Sequence, residues 1–335
     1  MLTRLLLALA LSASATAARA DVFQDASGGD VAAVAQAVER SPDVLNAGDP
    51  VHGGTPLHWA AYGGRDAVVA LLLARGAKVD CRNKEGMTAL HNAAGMGHAA
   101  VVRRLLDAGA DPALQDNTWH TARDYALREK KSEAAQVLTD AEAEVIRQLQ
   151  GADPPAGAVW LEKQEIAYMT AGEGMTSAAR ASVGRRPIRL GGLVFPHGVG
   201  THAPSRFPMR LDGQATRFAA VVGVDAETGS RGSVEFSVWI DGKPAATSGV
   251  LRGGQPPRLL SVDLTGARDI DFYVNDGGDG TGADHADWAG AVIYPVPGEG
   301  PATVAPPDVE VDACDADGAT ALHHAVAGDQ VTVVK

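Results

Sequence analysis

The sequence predicts a multi-domain α plus β chain: an N-terminal helical solenoid, an antiparallel, jelly-roll-like β-sandwich behind it, and a truncated helical repeat at the end. Three observations predict this. A self-similarity of 33 residues fills the first half, marked by Thr55, Thr88 and Thr121, and a fixed period of that size is the signature of stacked repeats. After Gly151 helical spacing is lost, and short apolar runs alternate with Gly/Pro turns, the pattern of a sandwich. At Asp317-Gly318-Ala319-Thr320-Ala321-Leu322-His323-His324-Ala325 the first pattern returns.

Residues 1–20 are set aside as a secretory signal. Arg4 supplies the positive start, Leu5 to Leu11 a short apolar stretch and Ala18-Arg19-Ala20 a small-x-small cleavage site. That stretch is well short of the roughly 20 residues a membrane-crossing helix needs, so the expectation is an exported protein, periplasmic or extracellular, with no membrane span. Composition is globular, with 45% hydrophobic and 21% charged residues. The net charge of −12 repels phosphate backbones, and no basic stripe offsets it, so nucleic acid is excluded as a partner. Cys81 and Cys314 fall in different segments, so the cores rather than disulfides must hold the fold.

The repeat unit can be read residue by residue. Gly54-Thr55-Pro56-Leu57-His58-Trp59-Ala60-Ala61 recurs as Gly86-Met87-Thr88-Ala89-Leu90-His91-Asn92-Ala93-Ala94 and, degraded, as His120-Thr121-Ala122-Arg123-Asp124-Tyr125-Ala126. Threonine caps a helix start, proline suits the first turn, and Gly76 and Gly109 end the second helix of each pair. These blocks resemble ankyrin repeats, which implies a stack of helix pairs sharing one core. Asp30 to Glu39 reads as the helix of an N-terminal cap, and Glu129 to Gln148 as a C-terminal cap. The array spans 22–150, a Gly-Ala-Asp-Pro-Pro linker 151–157, the sandwich 158–295, a Pro-rich linker 296–307 and the incomplete repeat 308–335. The resemblance makes His58 and His91 structural, bonding between turns. It also places His52, Trp59, Tyr62, Lys84, Asn92 and Trp119 at the variable positions that choose a protein partner. Trp119 stands where the other repeats have glycine.

The β module offers Phe195-Pro196-His197-Gly198-Val199-Gly200-Thr201-His202-Ala203-Pro204-Ser205, Phe218 to Asp225, Gly232-Ser233-Val234-Glu235-Phe236, Asp276-Gly277-Gly278-Asp279-Gly280 and Asp284-His285-Ala286-Asp287-Trp288-Ala289. In this order they resemble the NPCBM family of carbohydrate-binding modules, often attached to glycoside hydrolases. The resemblance implies a glycan ligand. A sugar is held by an aromatic ring under its C–H face and by planar polar groups at its hydroxyls, and His202, Asp284, His285, Asp287 and Trp288 are suitable types. Two readings of this loop stay open: a ligand site, or a turn fixed by its own Asp and His with Trp288 as a core anchor. Asp276, Asp279 and Asp284 form a candidate calcium set on a glycine-loosened loop, with no other cofactor expected. Asp284 and Asp287 could be spaced as glycosidase carboxylates, yet one short loop has no second wall to build a cleft. No nucleophile elbow, zinc helix, phosphate loop or dinucleotide fingerprint occurs. The expectation is a non-enzymatic, exported adaptor binding carbohydrate through the sandwich and protein through the repeats. The alternatives are a pure protein-interaction scaffold, or the targeting end of a longer enzyme.

Overall fold

The computed structural model describes residues 22–163, 177–280 and 282–297. The expected signal segment and the incomplete repeat after residue 307 lie outside the described residues. A helix over 22–28 (α1) and α2 (Val31–Arg40) open the array. Asp30 caps α2 by accepting the Ala33 N–H at 2.9 Å, and Val34 and Val38 face inward. The pairs α3 (Pro56–Tyr62) and α4 (Asp66–Ala74), α5 (Ala89–Met96) and α6 (Ala99–Asp107), and α7 (Ala122–Arg128) and α8 (Ser132–Leu149) follow. Leu72, Leu105 and Leu138 recur at the repeat period and are fully buried, the shared core that no single pair could make.

The turns between repeats are tied by imidazoles. His58 Nδ1 accepts the Thr55 N–H at 3.1 Å while Nε2 donates to the Met87 carbonyl at 3.0 Å. His91 repeats this with Thr88 at 3.1 Å and the His120 carbonyl at 3.1 Å. Each ring must be neutral, because one nitrogen accepts and the other donates. In the last repeat Asp124 takes the histidine's place and accepts the Thr121 N–H at 2.9 Å; with no following turn to reach, a carboxylate suffices.

The sandwich comprises β1 (Val159–Trp160), β2 (Ala178–Ala179), β3 (Ile188–Leu190), β4 (Leu193–Phe195), β5 (Gly198–His202), β6 (Ser205–Arg210), β7 (Ala215–Val224), β8 (Ser233–Ile240), β9 (Lys243–Arg252), β10 (Arg258–Asp263), β11 (Asp269–Asn275) and β12 (His285–Pro295). One sheet runs β10-β7-β12-β5-β2 with β1 also on β12, the second β6-β11-β8-β9, and β3 and β4 form a hairpin. All described pairings are antiparallel. Period-two alternation on β11 turns Ile270, Phe272 and Val274 to the core. β7 departs from it: Phe218, Ala220 and Val222 face the sandwich core while Ala219 and Val221 join a second apolar cluster on the outer face. A sheet buried on both sides carries a continuous apolar run.

The cover on that outer face comes from the helical half. Leu149 of α8 and Ala113 pack there with Trp160, Ile188, Leu190, Phe195, Ala289 and Val292. Gly290 marks the closest approach, since a Cβ would stand 2.5 Å from the Leu149 carbonyl oxygen. Polar ties flank the apolar contact. Asp111 accepts from Ser261 Oγ at 2.5 Å and lies 2.7 Å from Arg217 Nε. Gln115 donates to the Thr247 carbonyl at 2.8 Å and accepts the Thr247 N–H at 3.0 Å, pairing with edge strand β9 as another strand would. The segment read as a linker is held as well: His197, stacked on Trp160 at 4.2 Å, donates from Nε2 to the Ala152 carbonyl at 2.8 Å. No helix of the described residues is long and apolar enough to cross a membrane.

Two outcomes are expected. Burial holds the His91 imidazole down at about 4, against about 6.5 for an unfolded histidine. Its contribution is therefore fully present above that unfolded value and is lost as pH falls toward 4, on the order of 3 kcal/mol. Thermal melts followed by helical circular dichroism should show Tm dropping from pH 7.5 to 5; a constant Tm would sink the neutral-imidazole account. Separately, a fragment beginning at residue 151 bares the outer face of β7 and β12, and size-exclusion chromatography should find it aggregated where the full chain is not.

Candidate functional site

The strand β12 decides where the sandwich's candidate residues go. Ala286 and Trp288 point into the core, and Asp287 and His285 to the opposite face, as strand alternation requires. Trp288 is fully buried. Its ring meets Phe236 edge-on at 4.9 Å, with Phe272 at 5.3 Å and Phe218 at 6.0 Å. It is a core anchor and not an exposed stacking platform, a correction to the ligand reading.

Asp287 is also sealed. Its register partners are Gly200 on β5 and Gly223 on β7, and the backbone of Ala181 and Ser182 closes over Gly200, where a Cβ would collide with the Ala181 carbonyl oxygen. Burial and the facing Asp225 carboxyl, with Glu227 beyond, push its affinity for the proton well above the carboxylate range. As two carboxylates the pair would have no hydrogen bond; with the proton on Asp287 it donates to Asp225. Asp225 is itself fixed, accepting from Glu227 N–H at 2.8 Å and Arg189 N–H at 3.1 Å.

Asp284 is buried, accepts the Ser233 N–H at 2.8 Å and is raised to about 6 by burial. Asp279 accepts from Ser233 Oγ at 2.5 Å, and Asp276 lends its carbonyl to the same hydroxyl at 3.1 Å while its carboxylate caps Gly278 at 3.0 Å. The three acids thus converge on a serine, and among the described residues no group of three or more His, Cys, Asp or Glu side chains is placed to hold a metal. The calcium set is corrected accordingly. His202 is buried, donates from Nδ1 to the Ala203 carbonyl at 2.8 Å and meets His285 edge-on at 5.5 Å.

Of the five residues, His285 is the one that reaches solvent, with a fifth of its side chain exposed (22%), and its Nδ1 lies 2.6 Å from Glu227 Oε1. The exposed Arg186 approaches the other Glu227 oxygen at 3.9 Å. The His285–Glu227–Arg186 group thus presents an exposed guanidinium and a partly exposed imidazole at one end of the sandwich, with the largely buried Glu227 carboxylate between them. Sequence reasoning missed Glu227 and Arg186. The Val-Gly-Val-Asp stretch ends two residues short of Glu227, but nothing in spacing links either to position 285.

On the repeats, His52, Trp59 and Tyr62 form one run of edge-to-face rings, each neighbour at 6.3 Å, with Tyr62 half exposed (47%). Exposed Met96 and Leu127 end the equivalent inner helices. Trp59 is partly tied down by donating to Asp49 at 3.3 Å. Lys84 Nζ is spent on the Pro50 and Val51 carbonyls at 2.8 and 2.9 Å, and Asn92 on the His58 carbonyl at 3.2 Å. Both therefore brace the repeats. Trp119 stands apart, lining a cleft against the sandwich.

Because the folded state keeps a proton on Asp287 that the unfolded chain releases above about pH 4, this residue's contribution is complete in acid and shrinks as pH rises. Asp287→Asn retains the donor to Asp225 without the acid, so urea unfolding at pH 7 should find the variant more stable than the parent, with the gap closing toward pH 4. A less stable variant at pH 7 would argue that Asp287 is ionised.

Comparison with known proteins matches residues 157–294 to the NPCBM/NEW2 domain and residues 57–148 to three ankyrin repeats. An endo-α-N-acetylgalactosaminidase of Renibacterium salmoninarum is 37% identical over 105 residues, 31% of this chain and 7% of that protein. Alpha-1,3-galactosidase B of Akkermansia muciniphila is 29% identical over 138 residues, 40% of this chain and 16% of that protein. The human scaffold protein ILK is 42% identical over 64 residues, 19% of this chain and 14% of that protein. This chain thus spans under a fifth of each relative. Among solved structures, CBM51 from Clostridium perfringens GH95 in complex with methyl-galactose aligns with 29% identity and a TM-score of 0.39, covering 41% of this chain and 99% of that one. Residues 57–148 of this chain are thus ankyrin repeats and residues 157–294 an NPCBM/NEW2 domain.

Proposed function

We propose that this protein is an exported, non-catalytic adaptor that holds a glycan through its NPCBM/NEW2 domain and a protein through its ankyrin repeats. The observation that carries the reading is the union of these two modules in one packed body, each with an open polar or aromatic surface of its own. The sealed positions of Asp284 and Asp287 support a non-catalytic role, since a glycosidase pair must reach the sugar from both sides. The signal-like Met1 to Ala20 supports export to the periplasm or beyond. The rings of His52, Trp59 and Tyr62 supply the kind of aromatic anchor that protein interfaces use. On the sandwich, the His285–Glu227–Arg186 group is the surface to which hydroxyls could bond.

Relatives that carry α-galactosidase and N-acetylgalactosaminidase names make oligosaccharides ending in galactose or N-acetylgalactosamine the first probes. The full chain should be retarded in affinity gels containing them, and His285→Ala should weaken binding by about tenfold, the loss of one hydrogen bond. Silence across a broad glycan array, with a protein co-purifying, would leave only a scaffold role.

A further inference from the structure

The helical half and the sandwich enclose a cleft of about 470 Å³ between the repeat turns and the ends of β8, β9 and β10. Trp119, Arg82 and Asp116 line it from one side, and Ile240, Pro244 and Asp263 from the other. We infer that this cleft is a saccharide-binding site built jointly by both halves, taking one or two neutral hexose units with Trp119 as the stacking platform. The inference rests on the carbohydrate reading of the sandwich and moves part of the recognition to the ankyrin turns.

Trp119 is the first observation. It has a φ of +65°, at the place where the earlier repeats put Gly53 at +73° and Gly86 at +79°. A bulky side chain in the left-handed region costs stability that glycine would not, yet here an indole occupies it and remains exposed at 37%. A sugar's C–H face lies well on such a ring. The second observation is what the cleft's polar groups have left to offer. Asp116 is spent: Oδ1 accepts from Thr118 N–H and Oγ1, both at 2.8 Å, and from His120 N–H at 3.0 Å, while Oδ2 accepts from Tyr125 Oη at 2.6 Å. Asp263 uses one oxygen on the Thr265 N–H at 2.9 Å and retains the other. The exposed Arg82 donates one N–H to the Gln115 carbonyl and holds further donors in its planar fork. Arg82 is set against two carboxylates, and because Asp116 is already saturated by its own donors, the groups with bonding capacity left are one guanidinium and one carboxylate oxygen, a donor and an acceptor pair that suits the hydroxyls of a neutral ligand. Its volume is within the range of small-molecule sites.

The test needs no compromise in folding, because Trp119→Gly installs the residue that this turn carries in the two preceding repeats. That variant should melt no lower than the parent. Isothermal titration of the full chain with the galactose- and N-acetylgalactosamine-terminated oligosaccharides should nonetheless show an affinity reduced by about tenfold or more, as for one lost aromatic contact, and Asp263→Asn should weaken binding less. Unchanged affinity in Trp119→Gly overturns the inference. If His285→Ala then loses binding, the glycan sits at the other end of the sandwich and the adaptor reading stands. If the parent binds none of the saccharides, both readings fall together.

Discussion

The outer face of the six-stranded sheet is apolar and must be kept from water, and this constraint organises the molecule. Burying it with α8 and the Ala113 turn removes a patch that would drive aggregation of a free sandwich. The same contact ends the helical array, giving its last helix an apolar partner in place of another repeat. Asp111, Gln115 and the Ser261 hydroxyl then satisfy the polar rim and fix the register between the halves.

From this packing follows which chemistry is available to a ligand. The most ligand-like sequence of the chain, Asp284 to Trp288, is largely consumed in holding the sandwich closed: the tryptophan by three phenylalanines, one aspartate by a serine amide and the other by a carboxyl neighbour. What remains open lies at its two ends, the His285–Glu227–Arg186 group and the cleft under Trp119.

The repeats were legible because their signals are local. Threonine caps, the histidine three residues on and the glycine stop recur at one period, and each acts within a turn or between adjacent turns. The strands of the sandwich were legible as elements for the same reason. Orientation was less so. Whether Trp288 faces ligand or core depends on which side of β12 meets the second sheet, a long-range fact that spacing does not carry, although the unbroken Phe218 to Val224 run did hold the sign of a sheet covered twice. Glu227, the partner of His285, lies 58 residues upstream and Arg186, which approaches Glu227, lies 99 upstream, and only the folded loops bring them near. Trp119 was visible as a departure from the repeat; that it leans on a cleft shared with another domain was not.

The pinned connection between the halves, with Ala152 held by His197, has a mechanical consequence. Two modules on a flexible tether sample many separations, and their joint avidity falls off smoothly as targets move apart. Modules welded at one angle respond otherwise. Under the proposed adaptor role, a glycan and a protein displayed at the matching distance would be gripped together with little entropy lost, whereas a small mismatch would forfeit double attachment entirely, making the chain a gauge of how its two targets are spaced.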